Sequence, residues 1–257
     1  MLKVNGIEVK KMVFPDGQPH IYLDENIIGS EFALITCSIR NSEELLNLAL
    51  THEVVSRYVP KQISLDITYL MGARMDRAID ETQPFTLKTV CNIINSMWWS
   101  NIRIFHAHSE VAPNLLRAQN IMPSSQVMIA RIENPNAVCI APDKGSAKWV
   151  GHLVGNYVGC EKTRDSQSGK LSGFTVLDPE KVNRKECLII DDLCDGGGTF
   201  VGIASELRKA GATKVILYVS HGIFSKGFDL PGIEKIYTTD SYRNDYPVDK
   251  ITMLKSL

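Results

Sequence analysis

The chain has 257 residues, 44% of them hydrophobic, which gives room for one large or two modest domains with real cores. Its 28 basic and 29 acidic side chains nearly cancel, so charge makes no case for nucleic acid or an anionic membrane surface as a partner. No apolar run approaches the roughly 20 residues of a membrane helix, and the opening MLKVNGIEVKK lacks the apolar core of a secretion signal, so a cytoplasmic protein is expected.

In chain order, residues 32–36 and 63–69 read as strands on either side of a helix over 42–57, whose Leu45, Leu48, Ala49 and Val55 share one face. Asn41 followed by Glu44 has the spacing of a capping box at its start. His52, on the apolar side of that helix, reads as a packed or interface residue. Leu87, Val90, Cys91, Ile94 and Met97 mark another helix, and 102–105 another strand. The stretch 120–136, with Pro123, Ser124, Ser125 and Pro135, is where a domain boundary is expected, dividing the chain into 1–128 and 129–257. Beyond it, strands are predicted over 137–141, 157–160, 187–190 and 215–219, with helices near 147–156 and 199–210. The pattern is that of an α/β protein with two similar halves, each a mainly parallel sheet flanked by helices.

The segment 187–219 is the most informative. Two apolar runs of the kind a fully covered parallel strand shows enclose a helix marked by Phe200, Ile203, Ala204 and Leu207 and stopped at Gly211. The strand enters that helix through an acidic, glycine-rich turn. Gly196, Gly197 and Gly198 let successive amides point at an anion beside the helix's positive end, and Thr199 adds a hydroxyl donor. Asp191 and Asp192, placed where the strand is expected to end, could accept hydrogen bonds from vicinal hydroxyls, with Asp195 beginning the phosphate turn. The spacing suits neither a dinucleotide fingerprint nor a nucleoside-triphosphate loop, and a sugar phosphate fits better. Of the six cysteines, Cys37, Cys91, Cys139, Cys160 and Cys187 lie in or beside apolar segments and read as reduced packing residues. Cys194 falls in the turn itself and is read as lining it rather than acting as a nucleophile.

This segment resembles the phosphoribosyl-diphosphate loop of the type I phosphoribosyltransferase fold. Five further motifs, in order, make the whole chain similar to the ribose-phosphate pyrophosphokinases. FPDGQ (residues 14–18) resembles the family's turn that reaches into a neighbouring subunit and clasps the adenine of ATP, which gives Phe14 a stacking role and Asp16 an acceptor role, with Gln18 where the family has Glu. As residues alone, Pro-Asp-Gly is also simply a good hairpin turn. GARMDRA (72–78) resembles an Ala-Arg-Gln-Asp-Arg motif, so Arg74 would contact ATP while Asp76 and Arg77 fix the loop, and Met75 replaces Gln. An Arg-Asp-Arg ion pair on a surface loop is the other reading. HAHSE (106–110) aligns His108 with the family's His near the metal and triphosphate, and His106 with its Asp. Read alone, the two histidines are metal ligands, phosphate contacts or merely exposed.

CIAPDKGSAKW (139–149) resembles a strand followed by Pro-Asp-x-Gly, making Asp143 a metal-associated carboxylate or a helix N-cap. CEKTRDSQSGKLSGF (160–174) resembles the catalytic flap, with Lys162 and Arg164 as its cationic pair. The resemblance implies ATP and ribose 5-phosphate as substrates, Mg²⁺ as cofactor, AMP as leaving product, a role in nucleotide or NAD biosynthesis, and a homodimer or ring of dimers. The chain looks shorter than typical members, and Asp-Gly-Gly-Gly-Thr stands where the family more often has Asp-Thr-x-Gly-Thr. A more open 5-phosphate pocket follows, and with it a second acceptor, ADP-ribose. Two alternatives stay open: a phosphoribosyltransferase that consumes phosphoribosyl diphosphate, and a non-catalytic regulatory relative.

Overall fold

The computed structural model describes residues 1–27, 31–58, 62–164 and 171–257, the side chains of 162–164 and 171–172 excepted. The chain divides into two compact units, Met1–Met122 and Pro123–Ser256, each built on its own sheet. Among the described residues no helix is long and apolar enough to cross a membrane.

The first unit runs β1 (Leu2–Val4), β2 (Ile7–Glu8), β3 (Lys10–Val13), β4 (Pro19–Tyr22), β5 (Ala33–Ile39), α1 (Ser42–Tyr58), β6 (Ile63–Leu70), α2 (Thr86–Asn95), β7 (Asn101–Phe105), α3 (Val111–Leu116) and β8 (Gln119–Ile121). Its main sheet has the order β2-β1-β5-β6-β7-β8, parallel from β5 to β8, with β1 antiparallel to both neighbours. β5 runs past the predicted 36 to Ile39, because β6 continues alongside it as far as Leu70. α1 lays Leu45, Leu48 and Val55 into the core with Ile35, Leu65 and Ile104. Burial of each such side chain is worth roughly 1.5–3 kcal/mol. At the start of α1 only half of the expected capping box forms. Asn41 Oδ1 accepts from the Glu44 N–H at 2.9 Å, but the Glu44 carboxylate reaches past Asn41 to the Arg40 N–H at 2.8 Å and to the Arg40 guanidinium. Burial alone would raise the Glu44 carboxyl; these Arg40 contacts outweigh it and hold it below its ordinary range. His52 is packed as expected, its Nε2 2.8 Å from the Trp98 carbonyl and its ring edge-on to Trp99.

The second unit runs α4 (Ser124–Glu133), β9 (Val138–Ala141), α5 (Lys144–Val154), β10 (Val158–Arg164), β11 (Leu171–Val176), α6 (Pro179–Val182), β12 (Glu186–Cys194), α7 (Gly198–Lys209), β13 (Lys214–Gly222), β14 (Lys235–Thr239) and β15 (Ile251–Leu254). The sheet order is β11-β10-β9-β12-β13-β14-β15, parallel throughout except for the antiparallel pair β10–β11. The division between units falls ahead of 128 because α4 puts Val127 and Ala130 into this unit's core. β12 shows why its sequence is apolar throughout: Cys187 and Ile189 enter one core cluster, while Leu188 and Ile190 enter the other, on alternate sides. β13 divides its residues the same way, Val215, Leu217 and Val219 against Ile216 and Tyr218.

One expectation about β12 is corrected. The strand does not stop at 190 but continues through Asp191 and Asp192 to Cys194, since β13 also runs on and the ladder persists at Leu193↔His221 and Cys194↔Gly222. Cys194 is therefore a buried strand residue in the core, not part of the turn.

Candidate active site

The turn between β12 and α7 is short, Asp195 to Gly197. Gly197 takes φ +76°, a left-handed conformation, and a Cβ there would stand 2.3 Å from Leu230 Cδ2, so only glycine fits. Its carbonyl accepts from the Phe200 and Val201 amides at 3.0 and 3.1 Å, closing the first turn of α7. Among the described residues the Gly198 and Thr199 amides donate to no backbone carbonyl, as expected of the first groups of a helix. Gly198 is exposed, with no atom within 4 Å of where a Cβ would stand. Bare backbone, undonated amides and a helix's positive end are together features that favour an anion.

Carboxylates crowd the strand that leads into it. β9 runs beside β12 with Ile140 opposite Ile189, which carries Asp143 to the neighbourhood of Asp191 and Asp192. Burial, then the Asp192 and Asp143 carboxylates, hold the Asp191 carboxyl well above the usual carboxylate range. Asp143 is also the N-cap of α5, its Oδ1 accepting from the Gly145 and Ser146 amides at 3.0 Å each while Ser146 completes a capping box. Of its two readings the cap is the one observed, and it leaves Asp143 facing the carboxylate cluster electrostatically. Strongly shifted acids gathered at a strand end mark functional sites more often than structural ones.

Lys162 and Arg164 lie on β10, next to β9, but their side chains fall outside the described residues. In register, Lys162 faces Phe174 of β11, and Phe174 covers the bare face of Gly202 in α7, where a Cβ would meet its Cε2 at 2.3 Å. The partner of the strand that bears the expected cationic pair is thus packed, through one ring, against the helix that bears the turn.

In the first unit the loops after β6 and β7 leave the same edge of the sheet, as Ile67 and Ile104 are partners. Arg74 is exposed in the first loop, with Asp76 half-buried beside it. That loop is braced by the Met75 amide on the Gly72 carbonyl, 2.8 Å, and by the Leu87 amide on the Met75 carbonyl, 3.2 Å. The side chain of residue 75 is thus not what fixes the loop. The two histidines after β7 separate. His108 is exposed, whereas His106 is buried at 2% exposure with φ +43° and its amide on the Ile121 carbonyl, under β8. Phe14, Asp16 and Gln18 sit at the tip of the β3–β4 hairpin, where the Gln18 amide donates to Asp16 Oδ1 at 3.0 Å and Phe14 is 40% exposed.

Residues 110–238 match the family model of the phosphoribosyl transferase domain. The chain belongs to that family. Its curated relatives include ribose-phosphate pyrophosphokinases of Mycoplasmopsis pulmonis, 26% identical over 99% of this chain and 83% of the relative, and of Pyrococcus abyssi, 29% identical over 86% and 78%. That of Sulfolobus acidocaldarius is 26% identical over 96% of this chain and 88% of its own. The fold matches the crystal structure of phosphoribosylpyrophosphate synthetase from Mycobacterium smegmatis with a TM-score of 0.77 at 20% identity, covering 96% of this chain and 86% of that one.

Among the described residues no three His, Cys, Asp or Glu side chains form a closed metal cage. The carboxylate oxygens of Asp143, beside Asp191, are of the donor type magnesium takes when substrate phosphates and water fill the rest of its shell. A further part of this candidate site carries no family motif in the sequence. The segment after β13 folds over the turn, with Ser225 Oγ donating to Asp195 Oδ1 at 2.6 Å, Lys226 across Gly196 and Leu230 over Gly197. A Ser-Lys-Gly triplet two residues beyond a buried strand is the one signal that marks it.

Proposed function

We propose that the chain is an ATP-dependent diphosphotransferase of the ribose-phosphate pyrophosphokinase type, moving the β,γ-diphosphate of ATP to the anomeric hydroxyl of ribose 5-phosphate. The observation that carries this reading is the junction of β12 and α7: two strand carboxylates leading directly into an amide-lined glycine turn, in a chain related to pyrophosphokinases over most of its length. The anomeric oxygen bonds to the β-phosphorus, the bond from that phosphorus to the α,β-bridging oxygen breaks, and AMP leaves. Asp191 and Asp192 accept from the 2- and 3-hydroxyls, and Asp195, Gly196, Gly197, Gly198 and Thr199 hold the 5-phosphate. The protein's work is alignment and charge compensation rather than covalent catalysis.

Lys162 and Arg164 are assigned to the transferring phosphates, and Arg74, Asp76 and His108 to ATP. Phe14, Asp16 and Gln18 are assigned to the adenine of a neighbouring copy, which makes the working unit a homodimer or a ring of dimers. The exposure of Phe14 at a hairpin tip supports this. Asp143 in the second unit and His108 in the first are the candidate magnesium ligands, and the ion would supply neutralisation of the triphosphate.

ADP-ribose is the second acceptor reading; it rests on Gly196 standing where the family more often has Thr, a position over which Lys226 lies. The deciding assay is AMP release from ATP with ribose 5-phosphate or ADP-ribose offered in turn. Lys162→Ala and Arg164→Ala should each lower kcat by roughly 100-fold or more. Absence of AMP release with either sugar would sink the proposal. Base-dependent consumption of phosphoribosyl diphosphate would favour the phosphoribosyltransferase alternative, and nucleotide binding without turnover the regulatory one.

A further inference from the structure

The segment after β13 is fastened to the base of the turn. The Ser225 amide donates to the Asp195 carbonyl at 3.2 Å and its hydroxyl to Asp195 Oδ1 at 2.6 Å. The next side chain, Lys226, is thereby directed across Gly196: a Cβ at 196 would stand 3.2 Å from Lys226 Cδ and 3.3 Å from Cε. One further bond of about 1.5 Å puts the ammonium within about 5 Å of that point. Lys226 is exposed and, among the described residues, it pairs with no carboxylate; the nearby Asp195 takes the Ser225 hydroxyl instead.

The helix end does not by itself favour a cation here. A cation beside the positive end of a helix is repelled, and the Gly198 and Thr199 amides point the same sign of partial charge outward. An anion lying between the turn and the ammonium reverses every one of those terms. Gly196, half-buried with Lys226 carbons as its nearest neighbours, gives the stem the bare backbone it lies on.

We propose that Lys226 is a specificity-determining residue of the acceptor site, its ammonium binding phosphate oxygens at the sugar's 5-position that the turn amides leave uncovered. The inference rests on the reading of that turn as the acceptor site. A charge-assisted hydrogen bond of this kind is worth enough to change affinity by about 10- to 100-fold. The ligand it selects is a sugar carrying a phosphate, against the same sugar without one.

The test is calorimetric titration with ribose 5-phosphate in the absence of ATP, on the full chain and on Lys226→Met and Lys226→Arg, with ATP titrated separately. Methionine keeps an unbranched stem over Gly196 and removes the charge. Lys226→Met should bind ribose 5-phosphate about 10- to 100-fold more weakly, with a shallower salt dependence, and Lys226→Arg should stay within about threefold of the parent. ATP affinity should be unchanged in both. Undiminished ribose 5-phosphate affinity in Lys226→Met overturns the assignment, as does an equal loss of ATP affinity, which marks a general structural effect. If the parent binds ribose 5-phosphate and the methionine variant loses it, yet AMP is never released, Lys226 stands and the proposed reaction falls. If the parent does not bind ribose 5-phosphate at all, both fall.

Discussion

Substituting Gly197 and its neighbour Gly198 separately by alanine should move stability in opposite directions. At Gly197 an alanine must hold φ +76°, at a cost of about 1–2 kcal/mol, and its Cβ would stand 2.3 Å from Leu230 Cδ2. Leu230 is 6% exposed and belongs to the core, so displacing it adds about 1–3 kcal/mol. The sum is a loss of about 2–5 kcal/mol. At Gly198 the conformation is ordinary and nothing lies within 4 Å, so alanine gains about 0.4–1 kcal/mol by restricting the unfolded chain. At about 3–6 °C per kcal/mol, Gly197→Ala should melt on the order of 10 °C lower and Gly198→Ala a few degrees higher, by scanning calorimetry. The same Gly198→Ala methyl projects into the space assigned to the 5-phosphate, so acceptor KM should rise about tenfold while ATP KM stays put. A Gly197→Ala protein as stable as the parent, or a destabilised Gly198→Ala, would refute the account of the turn, whatever the activity shows.

The Glu44–Arg40 contact predicts a pH-dependent stability. Because the folded Glu44 carboxyl lies below its ordinary 4.5, its contribution is complete above that value and is lost as pH falls through the folded one. Glu44→Gln should therefore cost about 1–3 kcal/mol in urea unfolding at pH 7 and much less at pH 3; equal deficits at both would contradict it. The cysteines give a second, independent check. All are free and buried, with burial first among the causes that push Cys160, Cys187 and Cys194 up to about 12 and Cys91 to about 11. A thiol reagent at pH 8 should label the native protein only as fast as it unfolds. Rapid stoichiometric labelling of Cys194 would show that it lines the turn after all.

Parts of the fold that rest on local pattern were legible in the sequence. β12, α7 and β13 follow from unbroken apolar runs, helical spacing and a glycine stop, and the acidic glycine turn between them follows from composition. What pattern could not reveal came from pairing and distance. Charge at Asp191 and Asp192 argued for a strand end, whereas the ladder with β13 carries the strand past them to Cys194. Gln119–Ile121 reads QNI, with nothing strand-like about it, yet it forms β8 and takes the His106 amide on its Ile121 carbonyl. The hairpin strands KKMV and PHIY are too short and too polar to declare themselves, although the turn they hold was plain. Lys226 and Leu230 reach the glycine turn only through the fold, since some thirty residues of chain intervene.

The ring of Phe174 on Gly202 gives the second unit a property that neither residue has alone. Because Phe174 is the cross-strand neighbour of Lys162 and Gly202 lies in the second turn of the helix that opens at the glycine turn, the two strands and the helix behave as one gasketed joint. Any side chain at 202 would wedge Phe174, and with it the strand pair β10–β11, away from α7. Remodelling this end of the second unit, by selection or by design, therefore cannot be done one loop at a time.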